Sequence, residues 1–260
     1  MRVLVTGAAG RLGRKLTSEL ECRHELVLGD VADLDDPRYT PLDVRDLDAV
    51  RSAAEGCDAV AHLAILDWPC CGPAESLRYA PNALQVHVVG LHNVLQAARE
   101  VDVRQFVYVS SVSVVDGLPP GTPVDSRTRH FSNAIYGMSK GFGEDLCRLF
   151  HDSLGLPVAI LRLGNIFNPE GNGAWLGNIH VPELSEQSPP GAAPSRVHVD
   201  DATRAIGLAL EAPDPGYALV HVVGADSGDE WDLEEAKRVY GWEPWYSFAP
   251  DGLPRPARPG

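Results

Sequence analysis

Positive charge is scarce in this chain. Lysine occurs only at Lys15, Lys140 and Lys237, and 22 lysines and arginines stand against 36 acidic residues, which gives a net charge of −14. Nucleic acids and anionic membranes attract proteins through positive charge, so this balance disfavours both classes of partner. We therefore expect no nucleic-acid partner and no membrane partner.

Cysteine is also sparse: the five residues are odd in number, and no two have Cys-x-x-Cys spacing. This pattern disfavours a disulfide framework and a zinc site, so we expect reduced thiols, no metal and a cytoplasmic protein. For the neighbouring pair Cys70 and Cys71, an incidental loop position is favoured over redox activity. No apolar run reaches the length of a membrane span, and the chain opens directly into a strand, so we expect no signal peptide.

What the chain does contain is an alternation of strand and helix patterns. At 260 residues, 44% of them hydrophobic, it is long enough to bury a sizeable core. The predicted strands are 3–5, 25–28, 58–64, 106–111 and 158–163, and the predicted helices are 11–20, one ending at 54, 83–100 and 133–154. Such alternation predicts an α/β fold, a Rossmann-type doubly wound parallel sheet.

The composition changes at Asn165, after which Gly, Asn and Pro dominate as far as residue 194. A helix ending at 210, a strand over 217–223 and a helix over 233–240 are predicted beyond this stretch. We expect residues 1–164 to form the nucleotide-binding domain with the catalytic residues. Residues 165–248 are expected to form a small C-terminal substrate-binding cap, partly interleaved with that domain, and residues 249–260 a frayed proline-rich tail.

A glycine-rich turn joins the first strand to the first helix. Gly7 permits the tight turn, Gly10 allows a pyrophosphate to approach the backbone, and Gly13 lets the helix pack on the strand. The amides of the first helical turn would then face the phosphates. The candidate cofactor residues here are Gly7, Ala9, Gly10, Arg11, Leu12 and Gly13. An ordinary strand-to-helix turn is the alternative interpretation.

Asp30 favours the cofactor interpretation, because an acidic residue at the tip of the second strand accepts hydrogen bonds from the adenosine ribose. Its charge would repel a 2′-phosphate, so NAD is predicted over NADP. Arg11 is the reservation, because a nearby guanidinium can bind that phosphate. Asp43 and Val44 are predicted to cover the adenine, with a helix-capping role as the alternative for Asp43.

The third long strand ends at Leu63 and Ala64, which we expect beside the cofactor, because ligands collect at the carboxyl ends of parallel strands. His62 is expected to line this strand rather than to do chemistry. The segment 68–81 that follows is predicted to be a loop with room for a short helix.

Tyr136 and Lys140 form the candidate catalytic pair. At spacing i, i+4 both side chains share one helix face, where an ammonium would lower the pKa of the phenol. Ser111, at the end of a strand, supplies a second hydroxyl, which can hold the substrate oxygen while Tyr136 exchanges its proton. Together they predict general acid–base chemistry coupled to hydride transfer. A solvent-facing Tyr–Lys pair is the alternative.

With these residues the chain resembles the extended branch of the short-chain dehydrogenase/reductase superfamily, the NAD-dependent epimerase/dehydratase family. The motifs that carry the resemblance are the glycine turn with Asp30, residues 42–44, 62–64 and 109–111, the stretch 136–140 and residues 198–201. The resemblance implies Ser111, rather than Ser110 or Ser113, and Tyr136 as acid/base partners. It also implies that Tyr136 and Lys140 contact the cofactor and that Lys140 binds the nicotinamide ribose.

Within that branch, residues 135–146, 161–167 and 231–232 resemble uronate dehydrogenases and related enzymes. The loop 168–179, however, lacks the paired arginines that grip a carboxylate in those enzymes. Arg162 is expected to be a structural ion-pair partner. The candidate substrate contacts are Ser111, Val112, Ser113, His87 and Asn165.

His87 stands where the family has an asparagine. The sequence leaves two roles open for it, a position near the nicotinamide or a hydrogen bond to a backbone carbonyl.

The resulting expectation is an NAD-dependent oxidoreductase that takes hydride from a small sugar, sugar acid or polyol. A nucleotide-sugar epimerase or dehydratase with tightly held NAD is the alternative, and an NAD-sensing regulatory protein is the alternative without catalysis. A homodimer is expected through the helices 83–100 and 133–154, whose apolar residues are too many for one face.

Overall fold

A seven-stranded parallel sheet forms the centre of the molecule. The computed structural model describes residues 1–66, 73–169, 195–214, 216–249 and 253–257. The strands of this sheet are β1 (Arg2–Thr6), β2 (Glu25–Asp30), β3 (Tyr39–Pro41), β4 (Ala59–His62), β5 (Gln105–Ser111), β6 (Val158–Leu163) and β9 (Tyr217–Val222). These strands lie side by side in the order β3-β2-β1-β4-β5-β6-β9 and pair in parallel throughout, which confirms the predicted fold class.

Helices cover both faces of the sheet. They are α1 (Arg11–Leu20), α2 (Leu47–Ala54), α3 (Pro73–Leu84), α4 (Leu91–Glu100), α5 (Ile135–Leu154), α6 (Val199–Leu210) and α7 (Glu234–Tyr240). The helices α1 and α6 pack in one apolar core, and α2, α4 and α5 pack in the core on the opposite face. All residues of β5 and β6 are buried, as expected for strands covered by helices on both sides.

The second half of the chain takes part in the central sheet. The edge strand β9 pairs with β6 from Val158↔Tyr217 to Leu163↔Val222, and α6 packs against α1. Short pairs lie outside the sheet: β7 (Asn165–Phe167) with β8 (Arg196–His198), and β10 (Tyr246–Phe248) with β11 (Pro254–Pro256).

Asp201 anchors the C-terminal segment to α6. Its fully buried carboxylate accepts hydrogen bonds from Trp245 N at 2.9 and 3.0 Å and from Tyr246 N at 3.1 Å, and it pairs with Arg204 at 3.0 Å. This contact gives the motif at residues 198–201 a structural role, because a buried carboxylate is stable only when its oxygens are hydrogen-bonded.

Two predicted irregular segments are ordered. Helix α3 covers most of the predicted loop 68–81 and continues through Pro81. Proline normally ends a helix, and here it removes one backbone donor without stopping the helix. In the tail, β11 pairs antiparallel with β10 over residues 254–256, so this part is not frayed; proline is compatible with an edge position, where no ladder donor is required.

The predicted helix 83–100 is interrupted at its start. Residues Gln85–Gly90 form a π-helical segment that contains His87, and α4 begins only at Leu91. Such segments are rare and are frequently found at functional sites. Among the residues described, no helix combines the length and the apolarity needed to cross a bilayer.

Candidate active site

The glycine turn lies between β1 and α1, where β1 is flanked by β2 and β4. Gly7 has a φ of +75°, and a Cβ there would come within 2.7 Å of Ala64 N. At Gly13 a Cβ would lie 2.3 Å from Gly7 O. Both positions therefore require glycine, one for its left-handed backbone and one for the close approach of helix to strand.

Gly10 differs from its two neighbours in the motif. Within 4 Å, a Cβ there would meet only Gly7 O, at 3.1 Å, and the residue is exposed. Gly10 is also the N-cap of α1, and it makes no side-chain capping bond. The first-turn amides of α1 thus have no capping side chain, which fits a phosphate group held by backbone N–H donors.

Asp30 is held at the rim of this turn. Its Oδ2 accepts from Ala9 N at 2.8 Å and its Oδ1 accepts from Ala32 N at 2.9 Å. Each carboxylate oxygen can accept a further hydrogen bond, so the group remains able to bind a vicinal diol. The turn and the carboxylate together fit the adenosine half of NAD.

The other predicted cofactor residues lie on two neighbouring segments. Leu63 N donates to Thr6 O at 3.0 Å, and Ala64 contacts the turn at Gly7. Val44 is buried, and a Cβ on Gly90 would lie 2.5 Å from its Cγ2.

Asp43 pairs with Arg45 at 2.5 Å, and the capping alternative for Asp43 is wrong. It is Asp46 whose side chain accepts from Asp48 N and Ala49 N at the start of α2.

Ser111 and Tyr136 meet where β5 ends and α5 begins. The Ser111 side chain is hydrogen-bonded to the Tyr136 phenol. Ser111 Oγ also accepts from Ser113 N at 3.1 Å, which leaves its own proton for the phenol oxygen. Val112 opens the short 3₁₀ turn Val112–Val115 directly after it.

Lys140 is buried, and its Nζ donates to Val109 O at 2.7 Å. Burial lowers the pKa of Lys140 to about 7. The expectation that its ammonium lowers the pKa of Tyr136 is wrong for this geometry. Burial raises the pKa of Tyr136, and the hydrogen bond to Ser111 is what opposes the rise. At neutral pH the Tyr136 hydroxyl is therefore protonated.

His87 is buried behind the catalytic tyrosine, with only 2% of its surface exposed. Its Nε2 accepts from Leu66 N at 3.0 Å, and its Nδ1 lies 2.8 Å from Ser139 Oγ. The hydrogen bond to a backbone carbonyl, one of the two roles that the sequence left open, is not among the hydrogen bonds of the described residues. Both ring nitrogens are engaged, so His87 is corrected from a substrate contact to a buried support.

Two further buried polar pairs involve residues of the central sheet. His62 Nδ1 lies 2.8 Å from Thr6 Oγ1, and burial lowers the pKa of His62 to about 3. Arg162 pairs with Glu144 at 2.7 Å, with both side chains nearly inaccessible, which confirms its structural role. Ser110 Oγ donates to the same glutamate at 2.7 Å.

Asn165 opens β7, and its N–H donates to Ser195 O at 2.8 Å. Residues 170–179 of the predicted substrate loop, and Cys70 with Cys71, lie outside the described residues. Within the described part of the chain, no group of three His, Cys, Asp or Glu side chains is arranged to hold a metal.

A cavity of about 520 Å³ lies between α5, the loop 126–130 and the edge strand β9. Glu144 and Arg148 line it, whereas Ser111, Tyr136 and Lys140 do not. These two wall residues are about two and three turns along α5 from Tyr136, so this cavity is separate from the candidate active site.

Ser139 is the site residue that sequence reasoning missed. Its hydroxyl donates to Tyr136 O at 2.7 Å and faces His87 Nδ1. The residue is adjacent to Lys140, but no spacing rule links it to a histidine 52 positions earlier. Only the packing of α5 against the π-helical segment brings the two together.

Comparison with known proteins adds family information to this geometry. The profile of the NAD dependent epimerase/dehydratase family matches residues 3–224. A uronate dehydrogenase from Pseudomonas syringae pv. tomato is 27% identical over 248 residues, covering 92% of this chain and 80% of that protein. An L-arabinose 1-dehydrogenase (NAD(P)(+)) from Haloferax volcanii is 28% identical over 262 residues, covering 94% of this chain and 96% of that protein.

Solved structures give the same picture. The uronate dehydrogenase from Agrobacterium tumefaciens superposes with a TM-score of 0.73 at 28% identity, covering 94% of this chain and 84% of that chain. A mutant of that enzyme complexed with NAD has a TM-score of 0.73 at 29% identity, with the same coverage of 94% and 84%.

Proposed function

This chain belongs to the NAD dependent epimerase/dehydratase family, and from that premise we propose that it oxidises a hydroxyl-bearing carbon of a small sugar, sugar acid or polyol. It is an NAD-dependent oxidoreductase of the extended short-chain dehydrogenase/reductase type. The relatives named for free sugars and uronates support a carbohydrate substrate.

The observation that carries this proposal is the Ser111–Tyr136 hydrogen bond at the carboxyl end of β5. In its phenolate form, which becomes more populated as the pH rises, Tyr136 Oη takes the proton of the substrate hydroxyl, and Ser111 Oγ donates a hydrogen bond to the same substrate oxygen. Bound NAD supplies the hydride acceptor. Lys140 is the candidate contact for the nicotinamide ribose. Its Nζ is held in place by the hydrogen bond to Val109 O.

For the cofactor, Gly7, Gly10 and Gly13 with the α1 amides fit the pyrophosphate, and Asp30 fits the ribose diol. The remaining proposed contacts are Ala9, Arg11, Leu12, Asp43, Val44, Leu63 and Ala64. Val112, Ser113 and Asn165 are proposed substrate contacts, because each lies directly after the carboxyl end of β5 or β6.

The test is a substrate panel monitored for release of NADH. Neutral aldoses, uronates, sugar phosphates and nucleotide sugars are each incubated with the protein and NAD, with Tyr136→Phe as the control. Accumulating NADH with a free sugar, lost in the variant, supports the proposal. Conversion of a nucleotide sugar without free NADH would identify an epimerase or dehydratase, and NAD binding without any turnover would identify a regulatory protein.

We further propose a cytoplasmic homodimer formed through α4 and α5. Met138, Phe142 and Leu149 leave 37%, 40% and 54% of their surfaces exposed on α5, and their spacing places them along one side of the helix. Val89, next to α4, is 42% exposed. Light scattering at micromolar concentration tests this, and a monomer there would rule it out.

The division into a nucleotide-binding domain over 1–164 and a cap over 165–248 stays a proposal. Its support is the loss of regular alternation after Asn165. The proposed interleaving is supported by β9, which pairs with β6 in the central sheet although it comes late in the chain.

A further inference from the structure

The His87 side chain lies behind Tyr136, and both of its ring nitrogens are hydrogen-bonded. Because Nε2 accepts from the Leu66 amide at 3.0 Å, the ring proton must be on Nδ1. Nδ1–H then donates to Ser139 Oγ at 2.8 Å, and the Ser139 hydroxyl donates to Tyr136 O at 2.7 Å. The three bonds run in one direction, and each donor has one acceptor.

The two ends of this chain of bonds belong to different parts of the site. Leu66 follows β4 two residues after Ala64, which contacts the glycine turn at Gly7. Tyr136 is in the first turn of α5, whose N-cap residue Ala134 makes no side-chain capping bond. The start of α5 therefore lacks the capping that usually fixes a helix N-terminus.

We propose that His87 is a positioning residue that holds the first turn of α5, and with it Tyr136, in register with the cofactor side of the site through Ser139. The inference rests on the proposed function, because it assigns Tyr136 the acid/base role. His87 itself touches neither substrate nor the reacting atoms.

The environment of the ring keeps this support unchanged across the working pH range. Burial, together with the charge of Lys140, lowers the pKa of His87 to about 3. The groups that face the ring are the Leu66 amide, the Ser139 hydroxyl, the edge of the Tyr136 ring at 6.0 Å and the Lys140 charge. A neutral ring retains the acceptor at Nε2 and the donor at Nδ1.

Two substitutions separate the two arms of the support. In His87→Asn the amide nitrogen takes the place of Nδ1–H, so the bond to Ser139 is kept. In His87→Gln the longer side chain places an oxygen near the position of Nε2, so the bond from Leu66 is kept and the bond to Ser139 is lost. Ser139→Ala removes the same arm from its other end, and His92→Gln, at an exposed histidine on α4, is the matched control.

We expect kcat to fall about 10–100-fold in His87→Gln and in Ser139→Ala, because a displacement of about 1 Å of a catalytic group costs about that much. The double variant should lose no more than either single variant, since both break one connection. His87→Asn should lose a similar factor, because it breaks the same connection at its Leu66 end, whereas His92→Gln should stay within about fivefold of the unaltered enzyme. The NAD affinity should change by less than about threefold in all variants.

Several outcomes would overturn the proposal. They are unchanged kcat in His87→Gln and Ser139→Ala, unchanged kcat in His87→Asn, additive losses in the double variant, a loss of the same size in His92→Gln, or a loss confined to NAD affinity. A thermal melt of each variant separates loss of fold from loss of turnover.

An NMR measurement tests the geometry without turnover. The ¹⁵N signals of His87 should show the neutral Nδ1–H tautomer from about pH 8 down to about pH 5, because the folded pKa lies well below this range. A neutral Nε2–H tautomer, or titration near the ordinary histidine value, contradicts the proposed bonds. If the unaltered protein oxidises no sugar at all, the proposed function fails, while the tautomer measurement still decides the arrangement of His87.

Discussion

The cofactor turn and the catalytic end of α5 are built in different ways. The turn uses backbone atoms and missing side chains: Gly7 and Gly13 are packed against main-chain atoms, and Asp30 is fixed by two amides. The catalytic end instead uses buried side chains from distant parts of the chain, His87 and Lys140 among them. The first region is therefore sensitive to added volume, whereas the second is sensitive to lost hydrogen bonds and to protonation.

The sharpest contrast should come from Tyr136→Phe. This change removes only the hydroxyl that moves the proton, so turnover should fall about 10²–10⁴-fold, the usual size of a general acid–base contribution. Binding of NAD depends on the turn and should survive. Steady-state kinetics with an NAD titration checks both, and Tyr217→Phe, on β9, is the control. Near-normal turnover in Tyr136→Phe would remove the tyrosine from the mechanism.

Two glycine substitutions probe the volume sensitivity of the turn. Gly13→Ala places a Cβ 2.3 Å from Gly7 O and should lower the free energy of unfolding by about 1–3 kcal/mol, the usual cost of overpacking. Gly10→Ala has only one close neighbour and should keep most of that stability while weakening NAD binding. Urea unfolding and NAD titration on both variants check this. The contrast fails if Gly10→Ala destabilises the protein as much as Gly13→Ala does.

Asp30→Ala tests charge rather than volume in the same region. The carboxylate repels a 2′-phosphate, so its removal should narrow the preference for NAD over NADP by about 10–100-fold, equivalent to about 1.4–2.7 kcal/mol. Dissociation constants for both dinucleotides measure the ratio. Equal binding of NAD and NADP by the unaltered protein would contradict the predicted preference and would indicate that Arg11 binds the 2′-phosphate.

Acid should destabilise the folded protein through three buried histidines. The pKa of His62, His87 and His221 is about 3 in the folded protein, with burial as the main cause, against an ordinary value of 6.5. Between these values the unfolded chain binds protons that the folded chain does not, so the free energy of unfolding falls as pH drops from 6.5 to 3. Each histidine contributes at most about 1.4 kcal/mol per pH unit.

Replacing one of these histidines should reduce that dependence. His87→Asn removes one group that titrates only on unfolding, so its free energy of unfolding should decline less steeply over the same pH interval. Urea unfolding at several pH values measures the slope. An unchanged slope would mean that His87 is charged in the folded protein.

The two regions also differ in how far sequence reasoning reached. The strand, glycine turn and helix at residues 3–20 were predictable because each requirement lies within a few positions of the next. The parallel sheet followed from the alternation of elements. The segment 68–81 was predicted as a loop with room for a short helix, and the continuation of that helix through Pro81 was not predicted because proline is a strong local signal against it.

The sequence by itself determined the chemistry available to this protein: the turn for a pyrophosphate, the carboxylate at Asp30, and a tyrosine and lysine on one helix face. The tertiary structure alone decided how that chemistry is tuned. The connection between His87 and Ser139 crosses 52 residues, and the pKa of Tyr136 is raised by burial. Burial and hydrogen bonding sum over groups far apart in the chain, so no local spacing reveals them.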